Sequence, residues 1–431
     1  MKKLSTEPYK GTRDFYPENM RLQNYIFNTM RSVVTSYGYQ EYTASVMEET
    51  DLYRAKTGEE IVNEQTYSFT DRGGRDVTLR PEMTPTVARM VAGKRKELSF
   101  PVRWYSIPNC FRYERPQRGR LREFWQLNVD MLGAQSAYAD AEIIDVAYRI
   151  MVRFGADPQN FQIKVNTRTL MTEFFTDTLG LDETGSYKLS KLIDKKNKLK
   201  PEEFTDNAKN IIGNKVSVLE KFLNASRLDD VTEIMQNSKG IAELKQVLSA
   251  LDGCGIQNYV FDPSLMRGFD YYTGMIFEVF DTNPVNARSL FGGGRYDNLV
   301  DLFGVESVPA VGFGMGDLTM QDYLETYNLT PELSTGITLG IATVESSVVS
   351  GAINLASTLR DQGISCVVDY TETKLGKKLK SLVEQGAAYI LTIGPDEFAS
   401  DQFVIRQSVT STEQSLSESE LGPYLAKLSQ S

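Results

Sequence analysis

The stretch FRYERPQRGRLREFWQLNVD, residues 111–130, places Arg112, Arg115, Arg118, Arg120 and Arg122 within eleven positions of a chain whose net charge is −10. Together with RWYSIPNCFRY, which overlaps its start, it reads as strand, polar turn and strand. Aromatic and β-branched side chains flank ERPQRGR, where Pro116 and Gly119 break the pattern. In the second strand Trp125, Leu127, Val129 and Met131 share one face, and Phe124, Gln126, Asn128 and Asp130 share the other. The first face is expected to pack and the second to meet a ligand. Five closely spaced guanidiniums point to a bound anion, a phosphate or a carboxylate; a plain solvated basic surface is the competing reading.

Away from the hairpin, apolar spacing predicts helices over 21–37 (Leu22, Ile26, Met30, Val33, Val34), 85–100 and 138–154 (Ile143, Ala147, Ile150, Phe154). From about 167 to 257 the texture turns to charged helical patterns such as KLSKLIDKKNKLKPEEF, which reads as a helical insertion. Strand texture then returns in NYVFDPS, MIFEVF, SLFGGGRYDNLVDLFG and SVPAVGFGMGD. At Gly292, Gly293 and Gly294 either a ligand lies on the bare backbone or the chain bends tightly. After a linker near 328–335, strands ITLGIA, ISCVVDY, AAYILTIG and QFVIRQ alternate with amphipathic helices, the pattern of a small α/β domain with a largely parallel sheet.

With 431 residues, 41% of them hydrophobic and 24% charged, the chain has material for two or three domains. No apolar run nears the roughly 18 residues of a membrane span, and MKKLSTEPYKGTRD lacks an apolar signal core, so a cytoplasmic location is expected. Cys110, Cys254 and Cys366 are odd in number and far apart, which suggests neither a disulfide framework nor a zinc cluster. The chain contains no histidine. That excludes a Ser/His triad, a His-ligated zinc and an imidazole general base. Carboxylate, arginine and magnesium chemistry remains, the set used in phosphoryl and nucleotidyl transfer. The acidic balance sits awkwardly with nucleic-acid binding, but basic residues concentrate in the hairpin, in GKRKE (93–97) and in KLGKKLK (374–380).

Four segments carry a family resemblance: KGTRDFYPENM (10–20), TLRPEMTP (78–85), FRYERPQRGRLREFWQ (111–126) and MRGFDYYTGMIFEVF (266–280). They resemble the opening segment, the ligand loop, motif 2 and the histidine-binding segment of class II aminoacyl-tRNA synthetases, in the form of the histidyl-tRNA synthetase family. GYQEYTASVMEETDLY is similar to motif 1, a dimer-forming element, with Ala44 and Ser45 where the family usually has Thr-Pro. The resemblance implies an α+β catalytic core on an antiparallel sheet over 1–328, including the insertion, and an α/β anticodon-binding domain over 336–431. It implies ATP and Mg²⁺, the partners L-histidine and tRNA(His), and a homodimer.

By the same resemblance Arg112 and Arg267 are the catalytic cations. Arg112 bridges the α-phosphate and the substrate carboxylate, and Arg267 acts where other class II enzymes use a metal. Glu82 and Thr84, with the Met83 backbone, would take the ammonium; Gln126, Asp130, Tyr271 and Tyr272 would take the imidazole; Arg112, Glu114, Gln117 and Arg120 would take ATP. Motif 3 departs from the family: VGFGMG runs into Asp317-Leu318-Thr319-Met320 where Gly-x-Glu-Arg is usual. The missing arginine is one that clamps ATP, and Arg295 or Arg120 is expected to stand in. The implied activity is activation of histidine to its adenylate and transfer to tRNA. The alternative is a catalytically inactive, synthetase-like regulatory subunit of ATP phosphoribosyltransferase. It is favoured by the broken motif 3 and disfavoured by the hairpin and the C-terminal unit. Absence of histidine from an enzyme that charges tRNA with histidine would let it be translated without charged histidyl-tRNA; chance composition is the equal reading.

Overall fold

The computed structural model describes residues 4–54, 65–266, 271–286 and 288–429. The chain divides into two compact units, Met1–Asp14 with Gln23–Thr330, and Phe15–Leu22 with Pro331–Ser431.

The first unit is built on a nine-stranded sheet. Its strands are β1 (Gln40–Glu41), β5 (Val102–Ser106), β6 (Asn109–Phe111), β7 (Glu123–Leu132), β8 (Phe161–Thr167), β9 (Tyr259–Phe261), β10 (Met275–Asp281), β11 (Ser289–Arg295) and β12 (Ala310–Gly316). The order is β1-β5-β7-β12-β11-β10-β8-β9, with β6 also on β7. Every pairing from β5 through β8 is antiparallel, and the edge pairs β1–β5 and β8–β9 are parallel. The expected antiparallel core is therefore present, capped at each edge by a short parallel strand. A second sheet, β2 (Met47–Glu49), β4 (Asp76–Leu79) and β3 (Tyr67–Thr70), pairs in the order β2-β4-β3.

The hairpin forms with one correction. Its first arm is two strands, because Pro108 offers no N–H to a ladder. The Pro108 carbonyl instead accepts from Gln126 N at 3.0 Å, so β5 and β6 both pair with β7 on either side of the break. Leu127, Val129 and Met131 are fully buried, as the alternation predicts. The helix Ala137–Arg153 packs against β7 and β12, burying Ile143, Ile144, Ala147 and Ile150. Each of the three isoleucines contributes about 1.5–3 kcal/mol. Ser136 caps this helix by accepting from Tyr138 N at 3.2 Å. The helix expected over 85–100 is shorter, Thr84–Gly93, and the chain then leaves through turns at Lys94 to reach Pro101.

Between Thr167 and Tyr259 the described residues form helices and no strand, among them Glu183–Asp194, Pro201–Ile212, Val216–Leu223 and Lys239–Gly253. Phe174 and Phe222 stack at 3.8 Å between ring centroids inside this region, so it has a core of its own.

The second unit contains β13 (Leu339–Thr343), β14 (Cys366–Asp369), β15 (Tyr389–Ile393), β16 (Phe403–Gln407) and β17 (Glu413–Leu416), in the order β14-β13-β15-β16-β17. The first three are parallel, while β16 and β17 run antiparallel. The expected largely parallel sheet is thus mixed, and β17 was not expected. The five residues 408–412 are too few for a parallel crossover and can only return the chain as a hairpin. Leu339, Ile341, Leu355, Leu391, Ile393 and Phe403 form its core.

Candidate active site

The polar face of β7 meets glycines. Gln126, Asn128 and Asp130 stand opposite Gly316, Gly314 and Gly312 of β12; Gly314 and Gly312 stand opposite Gly292 and Gly294 of β11; beyond them come Glu278 and Ile276 of β10. All lie on one face, so two adjacent strands without side chains form a trough. A Cβ on Gly314 would run into the Gln126 amide, and one on Gly312 into the Asp130 carboxylate. Gly292, Gly293 and Gly294 have no positive φ and lie within a continuous strand. They are glycine for close approach, and there is no tight bend. The trough is a cavity of about 240 Å³ walled by Glu82, Thr84, Arg112, Gln126, Asp130, Tyr271 and Tyr272 among others.

The loop 78–85 is stitched to the hairpin. Buried Arg80 donates from Nε to the Asn109 carbonyl at 2.8 Å, from Nη2 to Asn109 Oδ1 at 3.0 Å and from Nη1 to the Ala44 carbonyl at 2.9 Å. Its own carbonyl accepts from Phe111 N at 2.9 Å. Glu82, 2% exposed, thereby reaches the trough, where Tyr271 Oη donates to its Oε2 at 2.9 Å. Arg112 leaves the end of β6 with Nε on the Pro81 carbonyl at 3.0 Å and its guanidinium 5.3 Å from the Phe124 ring centroid. It lines the cavity, and its terminal nitrogens have no acceptor among the described residues, a fork suited to carboxylate or phosphate.

Asp130 is the unusual acid. It is 4% exposed; Oδ1 accepts from Tyr296 Oη at 2.5 Å, and Oδ2 has no hydrogen-bond partner among the described residues. Burial pushes its carboxyl up to about 7, against the opposing effect of the Tyr296 hydrogen bond. A buried oxygen lacking a donor is costly, and an N–H from a ligand in the cavity would satisfy it. Burial likewise holds the Tyr271 and Tyr272 phenols well above their usual range, so both are neutral and can donate.

A second cavity of about 850 Å³ adjoins the first, with Glu278 in the wall of both. Its size suits a nucleotide-sized ligand, within the ~300–1,000 Å³ of cofactor sites. Gln117 and Arg120 line it, on a turn closed by Gln117 N to Arg120 O at 3.0 Å and the reverse bond at 2.9 Å, with Gly119 at φ +70°. The five hairpin arginines therefore divide. Arg112 lines the small cavity, Arg118 (3.6 Å from Asp322) and Arg120 (3.0 Å from Glu114) line the large one, and Arg115 lines neither. Arg122 is structural: it stacks 4.0 Å from the Tyr113 ring and bonds Tyr9 Oη at 3.2 Å.

Three expected site residues stand elsewhere. Arg295 does not compensate for motif 3: it is 7% exposed, paired with Asp140 at 2.6 Å and Asp297 at 3.3 Å, and bonded to the Ala134 carbonyl at 3.0 Å. Strand parity explains this, since Gly294 and Tyr296 face the trough and Arg295 between them faces the helix Ala137–Arg153. Met83 is fully buried and its carbonyl starts a helix by accepting from Val87 N at 2.9 Å, so it separates Glu82 from Thr84 without entering the cavity. Glu114 is in neither wall; its carboxylate holds Arg120. Arg267 lies outside the described residues. Asn128, placed by alternation on the face expected to meet a ligand, lines the cavity with Gln126 and Asp130, and so do Tyr296 and Glu278, which the sequence did not single out. Alternation with Gly292 and Gly294 was the signal that could have found Tyr296.

At motif 3 the first helical residue, Asp317, is buried and accepts from Arg13 Nη2 at 2.6 Å, Gln23 Nε2 at 3.2 Å and Trp125 N at 3.0 Å. It ties the opening segment to the strand that carries Gln126.

A family model described as histidyl-tRNA synthetase matches residues 11–317, and one described as an anticodon binding domain matches 338–428. The chain belongs to the histidyl-tRNA synthetase family. A protein named histidine–tRNA ligase from Leptospira biflexa is 46% identical over 97% of both chains. One of the same name from Thermoplasma volcanium is 34% identical over 98% of this chain and 99% of its own. The fold matches the crystal structure of histidyl-tRNA synthetase from Nostoc sp. PCC 7120 with a TM-score of 0.84, covering 99% of this chain and 100% of that one at 22% identity. The core is thus a class II synthetase fold, and its glycine trough lies within the residues that the family model matches.

Proposed function

We propose that this chain is an ATP-dependent ligase that activates L-histidine to histidyl-adenylate and passes it to the 3′ end of tRNA(His). One observation carries the reading: buried Asp130, with an oxygen that no donor among the described residues reaches, lines the same small cavity as Arg112 and Glu82. Neutral imidazole has one donor and one acceptor. Its N–H goes to Asp130 Oδ2, and the hydroxyl of Tyr272 or the Gln126 amide supplies the opposite donor. Glu82 takes the ammonium beside Thr84, and Arg112 bridges the substrate carboxylate and the α-phosphate as the carboxylate attacks, the α–β phosphoanhydride bond breaks and pyrophosphate leaves. Arg267 is the second cation of that step. ATP occupies the larger cavity along Gln117 and Arg120. Among the described residues no group of three acidic, cysteine or histidine residues is placed to hold a metal. Mg²⁺ would accompany the phosphates of ATP and would offset their charge.

The C-terminal residues 336–431 read the anticodon, residues 1–328 catalyse, and two copies associate in the cytoplasm. Among the described residues no helix is long and apolar enough to cross a membrane. The regulatory-subunit reading is not favoured, since relatives matched over nearly their whole length carry the ligase name. Pyrophosphate exchange run across the standard amino acids, followed by charging of tRNA(His), tests the proposal. Exchange is expected with histidine alone; exchange with none, or with another amino acid, contradicts it.

A further inference from the structure

The charge inventory of the larger cavity is uneven. Of the three guanidiniums that the described residues bring to its wall, Arg118 lies 3.6 Å from Asp322 and Arg120 lies 3.0 Å from Glu114. Of the lysines in the wall, Lys164 is 2.8 Å from Asp262, and Lys196 and Lys198 stand on a short helix of the helical insertion, away from the hairpin in sequence. Arg288 has no carboxylate partner among the described residues; its Nη2 donates to the neutral Gln117 Oε1 at 2.9 Å. That bond fixes the fork against the hairpin turn and leaves the positive charge uncompensated. An exposed guanidinium oriented by an amide, in a cavity of about 850 Å³ adjoining the Arg112 site, is a preset anion receptor.

The neighbouring helix Asp317–Thr326 brings no cation here. Asp317 is consumed by Arg13 and Gln23, and Thr319 Oγ1 donates to the Leu290 carbonyl at 2.7 Å. That bond places the first turn of the helix against the start of β11, two residues beyond Arg288. The wall that lacks a cation from the helix has one from the strand beside it.

We propose that Arg288 binds the outer phosphates of ATP. The inference rests on the ATP reading above and names a residue that reading does not use. Of the outer phosphates the terminal one lies two phosphorus atoms from the bond that breaks, so a contact to it changes little as the α-phosphate reacts and acts mainly on KM. The test compares wild type, Arg288→Ala and Arg288→Lys in histidine-dependent pyrophosphate exchange, together with equilibrium binding of ATP and of AMP. Arg288→Ala is expected to raise KM for ATP at least about tenfold with kcat changed less than about threefold. ATP affinity falls while AMP affinity holds, and Arg288→Lys is intermediate.

An unchanged ratio of ATP to AMP affinity in Arg288→Ala overturns the proposal. So does normal ATP binding with defective transfer to tRNA, which would give the residue to the acceptor end. If wild type shows no histidine-dependent exchange yet Arg288→Ala still loses ATP against AMP, the ligase reading fails and the phosphate assignment stands.

Discussion

Asp130 and Asp140 are both buried acids, one in the strand floor and one in the first turn of the helix behind the sheet, and their settings are opposite. Burial raises the first to about 7 and the second to about 6. Asp140 has Arg295 at 2.6 Å, whereas Asp130 has one tyrosine hydroxyl and an oxygen with no partner among the described residues. The adjacent residues Arg295 and Tyr296 serve one acid each from opposite faces of the same strand. A buried charge that is met by a counter-charge is scaffold; one left short of a donor marks where a ligand enters.

The contrast is broken most strongly from the scaffold side. Asp140→Asn leaves Arg295 buried without its main counter-charge, and unfolding by denaturant should show a loss of about 3–5 kcal/mol; a loss under ~1 kcal/mol would deny the pair its structural role. Next comes Arg112→Ala, whose expected loss in histidine-dependent exchange is about 10²- to 10³-fold, or ~3–4 kcal/mol, with an unchanged circular dichroism spectrum. Near-normal exchange would remove Arg112 from the chemistry.

Asp130→Asn should weaken histidine binding by roughly tenfold or more by calorimetry, and its effect on the ligand-free fold has a sign. Because the folded carboxyl titrates near 7 against 3.8 when exposed, the folded chain holds a proton that the unfolded chain releases. Wild-type stability therefore carries a penalty that is absent near pH 4 and grows as pH rises towards 7, up to roughly 4 kcal/mol. Asparagine removes it. The melting temperature of Asp130→Asn relative to wild type should climb from pH 4 to pH 8, and a flat difference would mean that Asp130 is not buried as described. The smallest effect expected is that of Gly314→Ala, whose methyl collides with Gln126. Stability should fall by about 1–3 kcal/mol, as in other overpacked sites, with histidine affinity falling alongside.

What the sequence made legible was whatever depends on period and on local breakers. Alternation in Trp125–Met131 gave the right faces, and the apolar spacing of 138–154 gave the helix Ala137–Arg153 to within a residue. The errors came from partners distant in the chain. Arg295 looked available because Asp140, 155 residues earlier, is invisible to local reading. Arg112 and Arg122 look alike in sequence, yet Tyr9 and Tyr113 sequester the second. At Gly292–Gly294 the sequence left ligand contact and a bend equally open, because closeness to β10 and β12 is a property of the sheet, and Met83 differs from Glu82 only by which way a helix start points. Tyr296 was passed over in favour of its charged neighbour, although counting from Gly294 would have chosen it.

The chain itself contains no histidine, so in a complex with ¹⁵N-labelled L-histidine every imidazole nitrogen signal belongs to the ligand. The account predicts a bound ring held as one neutral tautomer, its N–H signal shifted by a carboxylate acceptor, and loss of that shift in Asp130→Asn while Arg118→Ala retains it. A bound ring with the averaged tautomers of free histidine, or the same spectrum in wild type and Asp130→Asn, would contradict the claim that Asp130 receives the imidazole.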